Sequence, residues 1–274
     1  MEIGGILTLP FMQKALLGGA VSAFLLALYG VFVILKRLSF FGDGIAHASL
    51  GGIAIGVVLG INPLWLALLT AVIFTSGIYF LERKTTIPTD AIIGLIFTFG
   101  MALGILIISL KRGYQPELVS FLFGNILSLS WEDILATVIL GTLVIFFLLA
   151  FRRSITLIIL DREEAYLQGL KVEILEFFFY IFLAVTIVLG LKLLGIVLVS
   201  AILIIPPITA KLFSRSFRKL LISSLLIGEA TVIGGLFISY LVDAPSGAVI
   251  VLVGSAIFAG VLLITSLQKR SIRL

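Results

Sequence analysis

One histidine occurs in these 274 residues, and it stands four positions after an aspartate. Asp43 and His47 lie in the run Gly42-Asp43-Gly44-Ile45-Ala46-His47-Ala48-Ser49-Leu50-Gly51-Gly52, and they share one face if that run is helical. A carboxylate and an imidazole one turn apart are oxygen and nitrogen donors suited to a borderline divalent cation such as Zn²⁺, Mn²⁺ or Fe²⁺. The same spacing also serves a plainer purpose, an aspartate that caps the start of a helix with the histidine as its hydrogen-bond partner. Spacing alone leaves both readings open.

Other polar residues stand inside apolar surroundings. Asp90 opens Thr89-Asp90-Ala91-Ile92-Ile93-Gly94, where a first-turn acid complements the helix dipole or joins the same cation pathway. Glu229 falls in the middle of LLIGEATVIGG, placed to hydrogen-bond across helices or to meet a metal. Gly52, Gly56 and Gly60 recur at four-residue steps, which lets a second helix backbone approach closely. Pro206-Pro207 interrupts LLIIPPITAKLF and predicts a kink, a hinge or a break facing a pore. There are no cysteines, so disulfides and thiolate metal sites are excluded. No G-x-x-x-x-G-K-[ST], H-E-x-x-H or G-x-S-x-G motif occurs, which argues against an enzyme and against an ATPase engine within this chain.

The elements that must position these residues follow from composition. The chain is 61% hydrophobic and only 12% charged, about half the charge a globule in water carries, and its mean hydropathy is +1.31. A bilayer solvates such a chain; water does not. The net charge of +5 could indicate nucleic acid, but the basic residues stand in short clusters between apolar runs, the pattern of a membrane protein. The N-terminal run MEIGGILTLP has no basic region ahead of its apolar part, so no cleaved signal peptide is predicted.

Apolar runs of roughly 20 residues predict nine spans, at about 11–35, 44–60, 64–81, 89–110, 133–151, 173–191, 194–212, 219–241 and 246–267. The shorter segment 118–130 reads as a half-helix or re-entrant piece, because Gly124 and Asn125 interrupt it. With the N-terminus outside, fifteen of the 19 Lys and Arg fall on the cytoplasmic side; Lys14, Lys111, Arg112 and Lys192 do not. That asymmetry predicts an N-out, C-in topology. The fold class expected is all-α, a polytopic bundle of about nine spans (eight to ten), forming one transmembrane domain over 1–274.

The longest basic, polar interruption is 152–172. Within it Asp161 to Gln168 predicts a short helix, with acids at its start and Gly169 at its end. Either this is a solvated loop, or it is a rigid element that docks on a partner. Glu163-Glu164-Ala165-Tyr166-Leu167-Gln168-Gly169 resembles the E-A-A-x-x-x-G pattern of ABC permeases, in which such a helix docks into the ATPase subunit.

Several separated stretches carry a wider resemblance: VILKRLSFFGDGIAHASLGG, LERK followed by TDAIIG, SFLFGNILSLSWED, DREEAYLQGLKV, SAILIIPPITAKLF and YLVDAPSGAVIVL. In this order they resemble the ABC-3 type metal-uptake permeases, most closely the bacterial high-affinity zinc permeases. The resemblance implies a homodimeric permease in a bacterial or archaeal plasma (inner) membrane. It also implies two cytoplasmic ABC ATPase subunits that carry the ATP, and an extracytoplasmic metal-binding protein. No permanent cofactor is implied, and the transported divalent metal is cargo. Asp43, His47 and Asp90 take the family's pathway positions; Asp161, Glu163, Glu164, Ala165 and Gly169 take the coupling positions. Manganese members more often carry a proline after the histidine motif, and Gly51-Gly52 here leans toward zinc. The competing readings are an ion-coupled secondary transporter using Asp43, Asp90 and Glu229 as a relay, and a manganese or iron ABC permease.

Overall fold

The computed structural model describes residues 9–110 and 129–271, with side chains through residue 268. Most of the 118–130 segment therefore lies outside the described residues. The described chain is helical throughout: α1 (Pro10–Lys36), α2 (Phe41–Ala48), α3 (Leu50–Leu59), α4 (Pro63–Lys84), α5 (Thr89–Ser109), α6 (Trp131–Leu160), α7 (Arg162–Leu167), α8 (Val172–Leu194), α9 (Ile196–Lys211), α10 (Phe217–Val242) and α11 (Ser246–Ser271).

Eight stretches among the described residues are long and apolar enough to cross a membrane: α1, α2 with α3, α4, α5, α6, α8, α10 and α11. The remaining predicted span, 194–212, is the shorter α9 of 16 residues. At 1.5 Å per residue it covers roughly 24 Å, less than the hydrocarbon thickness of about 30 Å. Its start explains the shortening. Gly195 alone separates α8 from α9 with φ 83° and ψ 166°, a conformation open essentially only to glycine. One residue thus ends α8 and starts α9, where sequence patterning reads two abutting spans.

A second difference lies at 152–160, expected as the first half of a loop. The structure continues α6 through it to Leu160, because Ile155 and Ile158 keep one face of these turns buried. With 30 residues α6 is about 45 Å long, so its last turns extend past the hydrocarbon core.

α1 and α2–α3 form the centre of the bundle, and α5 and α11 are the most exposed spans. Lipid offers no hydrophobic drive for helices to associate, so close packing must hold them. Small residues supply it. A Cβ on Gly52 of α3 would sit 2.3 Å from the Leu66 carbonyl oxygen of α4, and one on Gly100 of α5 would sit 2.5 Å from the Ala48 Cα. Pro206 and Pro207 are both buried within α9. Pro207 has no N–H to give the Leu203 carbonyl four residues back. That carbonyl packs against Gly30 of α1, where a Cβ would come within 2.1 Å of it. The prolines are packing elements against glycines: the Pro207 ring lies on Gly30, and the Pro206 ring lies 3.6 Å from a Cβ built on Gly228.

This packing predicts two different outcomes for glycine substitution. Gly52→Leu forces α3 from α4 and should abolish the monodisperse peak in size-exclusion chromatography in detergent. Gly94→Ala, whose added methyl meets no atom within 4 Å, should keep the peak and match or slightly raise the melting temperature.

Candidate metal site

α2 is a helix of eight residues, and six of them (Phe41, Gly42, Gly44, Ile45, Ala46 and Ala48) are buried. The two half-open positions are Asp43 and His47. Glycine at 42 and 44 lets neighbours close in on both sides of Asp43. A Cβ on Gly42 would strike Leu203 of α9 at 2.8 Å, and one on Gly44 would strike Ile93 of α5 at 2.3 Å. The pair therefore lies between α5 and α9.

Ser200 of α9 donates its hydroxyl to an Asp43 carboxylate oxygen. This fixes the carboxylate and leaves its other oxygen available. The His47 ring packs edge-on against Phe97 of α5, with ring centroids 4.8 Å apart. Its Nδ1 is buried and has no hydrogen-bond partner among the described residues. A buried polar atom without a partner costs about 1–3 kcal/mol, so this nitrogen is poised to accept one. A fixed carboxylate and an unpartnered imidazole nitrogen one turn apart can supply two donors to a passing divalent cation.

The other predicted residues lie elsewhere. Asp90 is exposed in the first turn of α5, where it complements that helix's dipole. Among the described residues no three His, Cys, Asp or Glu side chains gather into a metal-holding group, so Asp90 is not joined to the pair. Glu229 of α10 is half-buried against a cavity formed with α1 and α6, apart from Asp43 and His47. Gly56 of α3 packs on the start of α4, where a Cβ would be 2.8 Å from the Pro63 Cα.

The short helix α7 is closed at both ends by its own residues. The Asp161 side chain accepts the Glu164 N–H at 3.0 Å. At the other end Gly169, with φ 74°, allows the Gly169 N–H to reach Tyr166 O at 2.9 Å and the Leu170 N–H to reach Ala165 O at 3.1 Å. Ala165 is fully buried against Ile158 and Val172, which anchors the helix, while Glu163, Glu164 and Leu167 face outward. Leu167 is 83% exposed.

Between α7 and α2 lies a charged cluster that sequence patterning does not single out. Glu176 of α8 is nine-tenths buried and receives three cations: Lys36 at the end of α1, Arg83 of α4 at 2.8 Å and Arg162 of α7 at 3.2 Å. Arg83 also reaches Glu173 at 3.3 Å, and the Tyr166 hydroxyl donates to Glu173 at 3.0 Å. The Lys36 ammonium stands 5.3 Å from the Tyr180 ring centroid, and Tyr180 stacks edge-on with Phe41, the first residue of α2, at 5.4 Å. Glu176 was open to the rule that marks Glu229, since it is an acid inside the apolar run EILEFFFYIFL. Its partners were not, because they come from three other helices. Ser200 is a lone hydroxyl in an apolar helix, and nothing in the sequence ties it to Asp43.

Removing a buried acid leaves its cations unpaired. Glu176→Gln should therefore destabilise the protein by about 3 kcal/mol, and exposed Glu173→Gln by less than about 1 kcal/mol. Thermal melts in detergent measure both; equal, small shifts would show that the cluster does not hold these helices.

Comparison with known proteins bears on this geometry. The model of the ABC 3 transport family matches residues 8–265. The chain is 34% identical over 254 residues to the manganese transport system membrane protein MntC of Listeria monocytogenes, covering 93% of this chain and 90% of that protein. It is 29% identical over 256 residues to the high-affinity zinc uptake system membrane protein ZnuB of Haemophilus influenzae, covering 93% and 96%. Its fold matches a chain in the structure titled PsaBC from Streptococcus pneumoniae in complex with Fab, with a TM-score of 0.84, 28% identity, and 94% and 93% of the two chains covered. A family match over nearly the whole length, together with eight helical stretches among the described residues long and apolar enough to cross a membrane, establishes that this multi-pass membrane protein belongs to the ABC 3 transport family.

Proposed function

We propose that the chain is the membrane-spanning permease subunit of an ATP-driven importer of a divalent transition metal, with Asp43 and His47 on the metal's path. The carrying observation is α2 itself. Six of its eight residues are buried, and the two left half-open are a carboxylate held by Ser200 and an imidazole whose Nδ1 is unpartnered. The relatives' names point to metals, zinc for one and manganese for another. Mixed oxygen and nitrogen donors suit either ion; with Gly51-Gly52 after the motif, zinc is the first cargo to test.

The remaining parts follow the same reading. Lys36, Arg83 and Arg162 converge at one end of the bundle. Lys192 pairs with Asp133 elsewhere, at the C-terminal end of α8 and the N-terminal end of α6. Placing the first group in the cytoplasm gives the N-out, C-in topology. α7 then faces the cytoplasm, where Glu163, Glu164 and exposed Leu167 offer an ATPase subunit a rigid docking surface. α5 and α11, with little of their surface buried, are the faces for a second permease copy. An extracytoplasmic metal-binding protein would deliver cargo at the opposite end, in a bacterial or archaeal plasma membrane. Asp90 is kept as a weaker pathway residue near the entrance to α5.

Radioactive zinc and manganese uptake by cells tests this directly. Asp43→Ala and His47→Ala should each reduce uptake at least about tenfold, equivalent to losing about 1.4 kcal/mol of stabilisation along the path, while the ATPase still co-purifies. Glu164→Arg should instead lose the ATPase on purification. Wild-type uptake by both pathway variants would sink the assignment.

A further inference from the structure

Away from the proposed pathway, α6 and α10 pack on either side of α1 and leave a seam between them. Two cavities lie along it. One, of about 640 Å³, is walled by Leu157 of α6 and Phe217 and Leu221 of α10, with Arg152, Arg153 and Arg218 at its lining. The other, of about 370 Å³, lies farther along, where Phe24, Ile145 and Glu229 meet. Seven residues separate Arg152 from Ile145, and eight separate Leu221 from Glu229. The second cavity therefore continues the first about 10 Å along both helices.

The level of the arginines is set by helix length. Arg152 stands twenty-one positions after Trp131, the first residue of α6. That is about 32 Å, one hydrocarbon thickness. Arg218 is in the first turn of α10. All three guanidinium groups thus belong at the membrane–water boundary. Among the described residues none of the three is ion-paired with a carboxylate. Topology requires only that basic residues gather on one side; it does not require an apolar groove leading from them into the membrane.

We propose that this seam binds an anionic glycerophospholipid, its phosphodiester on Arg152, Arg153 and Arg218 and an acyl chain in the groove between α6 and α10. Guanidinium groups pair with phosphate oxygens through two parallel hydrogen bonds. Basic pockets between membrane helices on the cytoplasmic side are a recognised setting for acidic headgroups. Charge and shape select the same occupant. A zwitterionic lipid fills the groove but brings its own cation to the arginines, and free phosphate meets the arginines but leaves the groove empty. The site rests on α6 and α10 spanning the membrane and not on the transport reading.

Native mass spectrometry of the full chain, purified in detergent with phosphatidylglycerol or phosphatidylcholine of matched acyl chains, tests the proposal. The wild type should retain phosphatidylglycerol in preference by about tenfold or more. The combined Arg152→Gln, Arg153→Gln, Arg218→Gln variant should lose that preference while keeping its helicity by circular dichroism. Leu221→Trp fills the groove without touching the charges; it should lower retention too, and it carries the test if the triple variant fails to fold. Because the chain has no cysteine, Ile222→Cys gives a site-specific probe. Phosphatidylglycerol should protect it from a maleimide, and inorganic phosphate should not. Equal retention of the two lipids, or preference surviving in the arginine variant, overturns the proposal. So does protection by inorganic phosphate alone. A disulfide-linked dimer through Ile222→Cys in membranes would give the seam to a second copy and overturn it as well.

Discussion

A carboxylate taken nine-tenths out of water must be surrounded by positive charge, and around Glu176 that requirement draws four helices to one point. Lys36 brings the end of α1, Arg83 the end of α4, Arg162 the start of α7, and Glu176 itself the first turns of α8. Three cations offset a desolvation cost that a single partner would leave largely unmet. The cluster lies where α1 stops and the short turn into α2 begins. Through Tyr180 and Phe41 it continues in direct contact to the helix that carries Asp43 and His47. The surface helix α7 and the half-open face of α2 are thus joined by packed, charged and aromatic groups.

The rest of the bundle is held by close approach. Gly30, Gly52 and Gly100 each bring one helix against the backbone of another at distances no side chain would allow. Two prolines in α9 fit the same scheme. They give up hydrogen bonds, and one of the freed carbonyls is covered by a glycine on α1. Such packing leaves little slack around α2, which is why its only half-open residues are the two polar ones. Where packing is looser, between α6 and α10, the space is lined largely by apolar side chains, with three arginines at one end and Glu229 farther along.

Much of this was readable in the sequence, and what was not has a physical cause. The all-helical class, the polar pair on one helix face and the short helix ending at Gly169 follow from composition, i to i+4 spacing and a glycine at a helix end. Those signals are local. The extension of α6 to Leu160 was hidden because Arg152 and Arg153 look like the end of a span, whereas the buried Ile155 and Ile158 continue it. The shortness of α9 depends on a single glycine in a conformation that hydropathy does not register. Glu176, Ser200 and Phe97 acquire their meaning from partners 14 to 157 positions away, from Arg162 beside Glu176 to Asp43 beside Ser200, and no periodicity encodes such pairings.

The central claim is that this chain carries metal but does not itself supply the energy. The most direct measurement is uptake of radioactive zinc or manganese into proteoliposomes holding the chain alone or together with a co-expressed ABC ATPase. The account predicts accumulation only when both the ATPase and ATP are present. Accumulation by the chain alone, driven by a proton or sodium gradient, would contradict it.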